Sequence, residues 1–163
     1  MGTRESVVAA QHAAMQEKAR LTRNPEATPE QIADNDIRLQ TMRAVNTAIT
    51  AKETSGKSRR DLSEDEVIAV LRSLVKRRRD TAQEYESLGK PDRAAREYAE
   101  AVVIERHLPA LLSEEDHRDL VKGVIAETGA EGPRGIGLVM KALKGQTGLD
   151  PAVASKIAKE LLS

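Results

Sequence analysis

Apolar residues recur along most of the chain at intervals of three and four, separated by short polar stretches rich in Ser, Thr, Asp, Gly and Pro. That is the period of a helix with one buried face, and no run of alternating β-branched residues competes with it, so an all-α fold is expected. A first, Ala-rich and weakly amphipathic helix is predicted over about residues 4–21, stopping before Asn24-Pro25, where proline disfavours helical geometry in its predecessor. Thr28-Pro29-Glu30-Gln31 then joins a hydroxyl cap, Pro at the first helical position and Gln at the capping-box position. The second helix behind it shows the stripe Ile32, Leu39, Met42, Val45 and Ile49 and breaks at Gly56.

Ser63 to Glu66 repeats the capping signal ahead of Val67, Val70, Leu71 and Leu74. This third helix runs through Lys76-Arg77-Arg78-Arg79 and Tyr85 to Gly89, about seven turns at ~3.6 residues each. A fourth restarts at Lys90-Pro91-Asp92 with the stripe Ala95, Tyr98, Ala99 and Val102 and ends at Pro109, so helices three and four form a hairpin. The fifth opens on Ser113 and an acidic first turn, buries Leu120, Val121, Val124 and Ile125, and closes at Gly129. The sixth, about Pro133 to Lys144, buries Ile136, Val139, Met140 and Leu143 before Gly145 and Gly148. Asp150-Pro151 caps the seventh, with the stripe Val153, Ile157 and Leu161. The reading is an N-terminal helical domain with a long hairpin, residues 1–112, and a small C-terminal three-helix domain, residues 113–163, with a size of about 50 residues at which a core is marginal alone.

Composition narrows the function classes. The chain has 163 residues, no Cys, no Phe or Trp and 2 Tyr, so Leu, Ile, Val and Ala must fill the core. Absence of cysteine removes disulfides, thiolate metal sites, iron–sulfur clusters and cysteine nucleophiles together. No stretch approaches 18 consecutive apolar residues, and the start lacks the apolar core of a signal peptide, so a soluble, cytoplasmic protein without a membrane partner is expected. Lys plus Arg equals Asp plus Glu at 26 each, which argues against a protein wholly dedicated to nucleic acid, DNA included. The charge is nevertheless segregated. Residues 113–131 hold two basic against six acidic residues, a net −4, while residues 132–163 hold Arg134, Lys141, Lys144, Lys156 and Lys159 against two acidic residues, a net +3.

Candidate catalytic and ligand sites are sparse. His12, His107 and His117 stand at no metal-ligand spacing, and His117 reads as a partly buried histidine on an apolar helix face, so no metal and no cofactor are expected. Gly132-Pro133-Arg134-Gly135-Ile136-Gly137 resembles an anion-cradling helix start, yet it follows no strand and matches neither the dinucleotide nor the Walker pattern. Lys76, Arg77, Arg78 and Arg79 form the densest basic run, for which pairing along the helix offers Lys76 to Asp80 at i, i+4 and Arg79 to Glu84 about one turn on. Arg78 falls on the apolar stripe, its stem packing and its head reaching outward. No serine is expected to have a catalytic partner, so no catalytic residue is assigned.

From about Asp36 to Ser163 the chain resembles the GatB/YqeY domain family, which comprises free-standing YqeY-like proteins and the C-terminal tail of the GatB subunit of glutamine-dependent aminoacyl-tRNA amidotransferases. The resemblance rests on the order of MRAVNTAI, LSEDEVIAVL, KRRRDTAQEYESLGK, HLPALLSEED, AETGA, IGLVMKALKG and IAKELL. It implies an all-α protein of two helical domains and, for the GatB tail, docking onto transfer RNA while catalysis belongs to other parts of that complex. It also implies an association with carbon–nitrogen ligase activity using glutamine as amido donor, by relation to the complex and not by a site here. Where the family often reads Gly-Arg-Ala-Asp-Gly, this chain has Gly145-Gln146-Thr147-Gly148-Leu149-Asp150. The expected function is a non-catalytic module associated with transfer RNA or with an amidotransferase or synthetase component. Arg134, Lys141, Lys144, Lys156 and Lys159 are the phosphate-contacting candidates and Lys76 to Arg79 a secondary basic patch. The rival is a helical protein-interaction module with no RNA role.

Overall fold

A computed structural model describes residues 2–163 and places seven α-helices, with no strand among the described residues. They are α1 (Thr3–Arg23), α2 (Pro29–Glu53), α3 (Glu64–Ser87), α4 (Pro91–Glu105), α5 (Glu114–Thr128), α6 (Gly132–Ala142) and α7 (Pro151–Leu161). Their starts are written locally. Thr28 Oγ1 accepts from Gln31 N and Gln31 Oε1 from Thr28 N, and Ser63 with Glu66 and Ser113 with Asp116 repeat the reciprocal box. Gly89 and Gly129 follow α3 and α5 with φ of 65° and 63°, the left-handed stop that side chains other than glycine resist.

The chain divides into two compact units, residues 1–108 and 109–163. In the first, α3 packs along α4 and α1 along α2, around Val7, Met42, Val45, Ile49, Val67, Leu71, Ala101 and Ile104. Burying each of Met42, Ile49, Leu71 and Ile104 contributes about 1.5–3 kcal/mol relative to exposure. Two expected stripes shift. Ile32 lies exposed, and Asn35 takes the buried position one turn on, its Nδ2 donating to Ala14 O at 3.0 Å. On α4 the seam is Ala94, Glu97, Ala101 and Ile104, not Ala95, Tyr98, Ala99 and Val102; Ala95 and Val102 face solvent. The reason is electrostatic: Glu97 and Glu100 turn inward to receive an arginine from α3, which rotates the helix away from its apolar reading.

The second unit closes α5, α6 and α7 around Val121, Val139, Leu143, Ala154, Ile157 and Ala158. Its last turn also departs from expectation, with Leu162 buried and Leu161 exposed, because Ala154, Ile157 and Ala158 set the inward face and Leu162 continues it at i+4 from Ala158.

Candidate nucleic-acid interface

The cations of the second unit stand on a frame stapled by a histidine. His117 is only 1% exposed. Its Nδ1 donates to Ser113 O at 2.8 Å and its Nε2 accepts from Asp150 N at 2.8 Å, one donor and one acceptor as in neutral imidazole. The ring therefore joins the N-terminus of α5 to the N-terminus of α7, where Asp150 Oδ1 accepts from Ala152 N and Val153 N. The burial is complete where the sequence predicted it partial. Beside this staple, Leu112 N donates to Gly148 O at 2.8 Å. Gly148 has φ 77°, and a Cβ there would stand 2.6 Å from Ala110 O, so conformation and close approach both demand glycine. The long loop before α7 is thus seated on the strand of chain leading into α5.

On that frame Arg134 and Lys141 project from α6, Lys144 follows its end, and Lys156 and Lys159 project from α7. All five are exposed, and none has an acidic partner among the described residues. The acidic side of the unit closes on itself through Arg118, which reaches Glu160 at 3.0 Å and Glu114 at 4.0 Å.

The run Lys76 to Arg79 behaves oppositely. Lys76 Nζ meets Asp80 Oδ2 at 2.5 Å, as the spacing predicts. Arg79 does not pair along α3 with Glu84; it crosses to α4 and binds Glu105 Oε1 through Nε at 3.0 Å and Nη2 at 2.8 Å. Arg78 does not send its head outward either. Its side chain is 21% exposed, and Nη1 bridges Glu97, at 3.2 Å, and Glu100. Glu100 also receives Arg96 Nε at 3.1 Å, and Arg96 Nη2 continues to Gln40 Oε1 on α2 at 2.6 Å. Of the four cations, three already hold carboxylates of the same chain.

One contact was missed in the sequence: Ser6 Oγ lies 2.8 Å from His107 Nδ1, bringing α1 to the end of α4. Burial holds His107 below its usual imidazole value, and the nearby Arg106 and Arg38 push it the same way. A general base needs an anion to stabilise the imidazolium it forms, and these neighbours carry the opposite sign. The pair therefore reads as a packing contact. No group of three or more His, Asp or Glu side chains poised to hold a metal occurs among the described residues, and no described helix is long and apolar enough to cross a membrane.

Fold and charge together define a small all-helical module whose C-terminal three-helix unit exposes Arg134, Lys141, Lys144, Lys156 and Lys159. The family model described as Yqey-like protein (YqeY) matches residues 10–162, and the chain belongs to that family. Comparison with curated proteins finds no match.

Proposed function

We propose that this protein is a non-catalytic module that docks its C-terminal unit on transfer RNA, in the company of an aminoacyl-tRNA amidotransferase or synthetase component. The observation that carries the reading is the contrast in cation availability: Arg134, Lys141, Lys144, Lys156 and Lys159 are exposed and unpaired, while the denser run on α3 is held by its own acids. Phosphate contacts of this kind supply affinity and orientation without reading sequence, which suits a unit with no aromatic side chain on which to stack bases. Resemblance to the GatB tail supplies the RNA class, and the amide chemistry of such complexes is assigned to other subunits.

The test is the salt dependence of transfer-RNA binding by the wild type and by a variant with Lys141, Lys144, Lys156 and Lys159 replaced by Ala. The variant is expected to bind more weakly and to lose slope in log K against log salt, by up to about 0.9 for each duplex phosphate contact removed. Equal affinity and equal slope across several salt concentrations would sink the reading. A second reading, a protein-interaction module, draws on Val8 and Met15, which lie exposed two turns apart on α1. It gains if the four-lysine variant binds RNA as the wild type does.

A further inference from the structure

Helix α6 contains three glycines, of which backbone conformation accounts for one and close packing for another. Gly132 begins the helix at φ 59°. Gly135 faces Ala130, whose Cβ and C lie 3.0 and 3.1 Å from the point where a methyl group would stand. Gly137 has neither justification: its backbone is helical, it is exposed, and no atom lies within 4 Å of its Cβ position. Inside a helix, glycine is the least favourable residue short of proline, because it loses the most backbone freedom and packs nothing. Alanine would serve the fold better at this position, so the packing of the chain does not explain the glycine.

Helix α5 contains an internal comparison. Gly123 is also exposed, also mid-helix and also without an atom within 4 Å of its Cβ position. The surroundings differ in sign. One turn either side of Gly123 stand Asp119 and Glu127, whereas one turn either side of Gly137 stand Arg134 and Lys141, with Leu138 beside it 48% exposed. Arg134 and Lys141 are separated by about 10 Å along the axis, at ~1.5 Å per residue.

We propose that Gly137 is the point of closest approach of a ribose–phosphate backbone to α6. The missing side chain lets the backbone ride against the helix, Arg134 and Lys141 hold phosphates on either side, and Leu138 covers the apolar face of a ribose. The charge decides the occupant: an acidic surface at Gly123 repels a polyanion, and a basic one at Gly137 attracts it. This inference rests on the RNA-docking reading above and refines it to one helix face.

The experiment uses the full chain and unfractionated transfer RNA, titrated by fluorescence anisotropy at several salt concentrations, with Gly137→Ala, Gly123→Ala and the four-lysine variant alongside the wild type. Both glycine variants are expected to melt later, by about 2–4 °C each. Gly137→Ala is expected to lose about ten-fold in affinity, the size of one charge-assisted contact, while Gly123→Ala binds as the wild type does. A substitution that stabilises the protein while weakening its binding cannot act through misfolding. Wild-type affinity in Gly137→Ala, or an equal loss in both glycine variants, overturns the close approach. If the four-lysine variant still loses affinity in that case, RNA docking stands and only this refinement falls; if it binds as the wild type does, both fall.

Discussion

Lys76-Arg77-Arg78-Arg79 and the five cations of the C-terminal unit differ in density along the chain and differ the opposite way in availability. The run on α3 puts four positive charges in four residues, yet Lys76, Arg78 and Arg79 each hold an acidic group of the same unit. The C-terminal cations are spread over 26 residues, from Arg134 to Lys159, and meet no carboxylate. A basic cluster in a hairpin draws acids to itself from the opposite helix, and paired charges present little field to a partner. Cations scattered at i, i+3 spacing beside an apolar stripe have only solvent before them. Charge density in a sequence therefore does not measure how much unpaired positive charge the folded surface presents.

The largest effect expected from breaking this contrast is on stability, not binding. Arg78 sits between Glu97 and Glu100 with little solvent around all three side chains, at 21%, 22% and 10% exposure. Arg78→Ala would leave Glu97 without a cation and facing Glu100, which keeps only Arg96, a loss of about 2–4 kcal/mol after allowance for their partial solvation. Urea unfolding measures it, and Arg78→Ala combined with Glu97→Gln and Glu100→Gln should recover most of the loss, because the unpaired carboxylates are what destabilise. Transfer-RNA affinity of the folded single variant should stay at the wild-type value. A drop in affinity with an unchanged urea midpoint would reverse the contrast.

A smaller effect is expected at the frame of the other region. His117→Ala would strip Asp150 N–H and Ser113 C=O of their side-chain partner in a buried place, at about 2–3 kcal/mol. The measured quantity is the thermal midpoint. Unlike Arg78→Ala, this variant is also expected to weaken RNA binding, since it loosens the start of α7, the helix that presents Lys156 and Lys159. Wild-type stability in His117→Ala would show that the ring fills space without bearing on the frame.

Much of this was legible from local chemistry. The capping boxes at Thr28 and Ser63, the left-handed glycines after α3 and α5 and the i, i+3, i+4 stripes of α3, α5 and α6 depend on neighbours in sequence, and they fall where the pattern put them. What failed needed the partner helix. Reflecting the chain about Gly89 sets Arg78 opposite Glu100 and Tyr85 opposite Arg93, whose guanidinium lies 5.8 Å from the ring centroid. The signal for the buried ion pair was thus present, but an apolar stripe search discards acidic residues and so rotated α4 toward Val102. Gly148 and Gly137 on the C-terminal unit divide the same way. Gly148 depends on Ala110, far away in sequence, while Gly137 is conspicuous only once every internal neighbour has been ruled out.

The smallest effect concerns pH, and it sets the capping box of α3 against that of α5. Glu66 accepts two bonds from Arg60, at 2.8 and 2.5 Å, and one from Ser63 N at 2.9 Å; the Arg60 bonds first, then Ser63, draw its carboxyl from 4.5 to about 2. Asp116 has no arginine and is held below its ordinary 3.8 by Ser113, through the hydroxyl first and the backbone N–H second. A depressed carboxylate contributes stability that is fully present above its unfolded value and is lost as pH falls through its folded one. The Glu66 contribution therefore disappears between pH 4.5 and about 2, and the Asp116 contribution below 3.8. His107 acts earlier with the same sign: burial lowers it from 6.5, the unfolded chain binds its proton first, and stability begins to fall below pH 6.5. Urea midpoints measured from pH 7 down to pH 2 are expected to show that early decline in the wild type, in Glu66→Gln and in Asp116→Asn alike. The wild-type and Glu66→Gln curves should then converge as pH falls from 4.5 toward 2, and those of the wild type and Asp116→Asn over a lower, narrower range. Both groups are solvated, so the differences are small; parallel curves for Glu66→Gln over the whole range would show that the Arg60 fork contributes nothing to the fold.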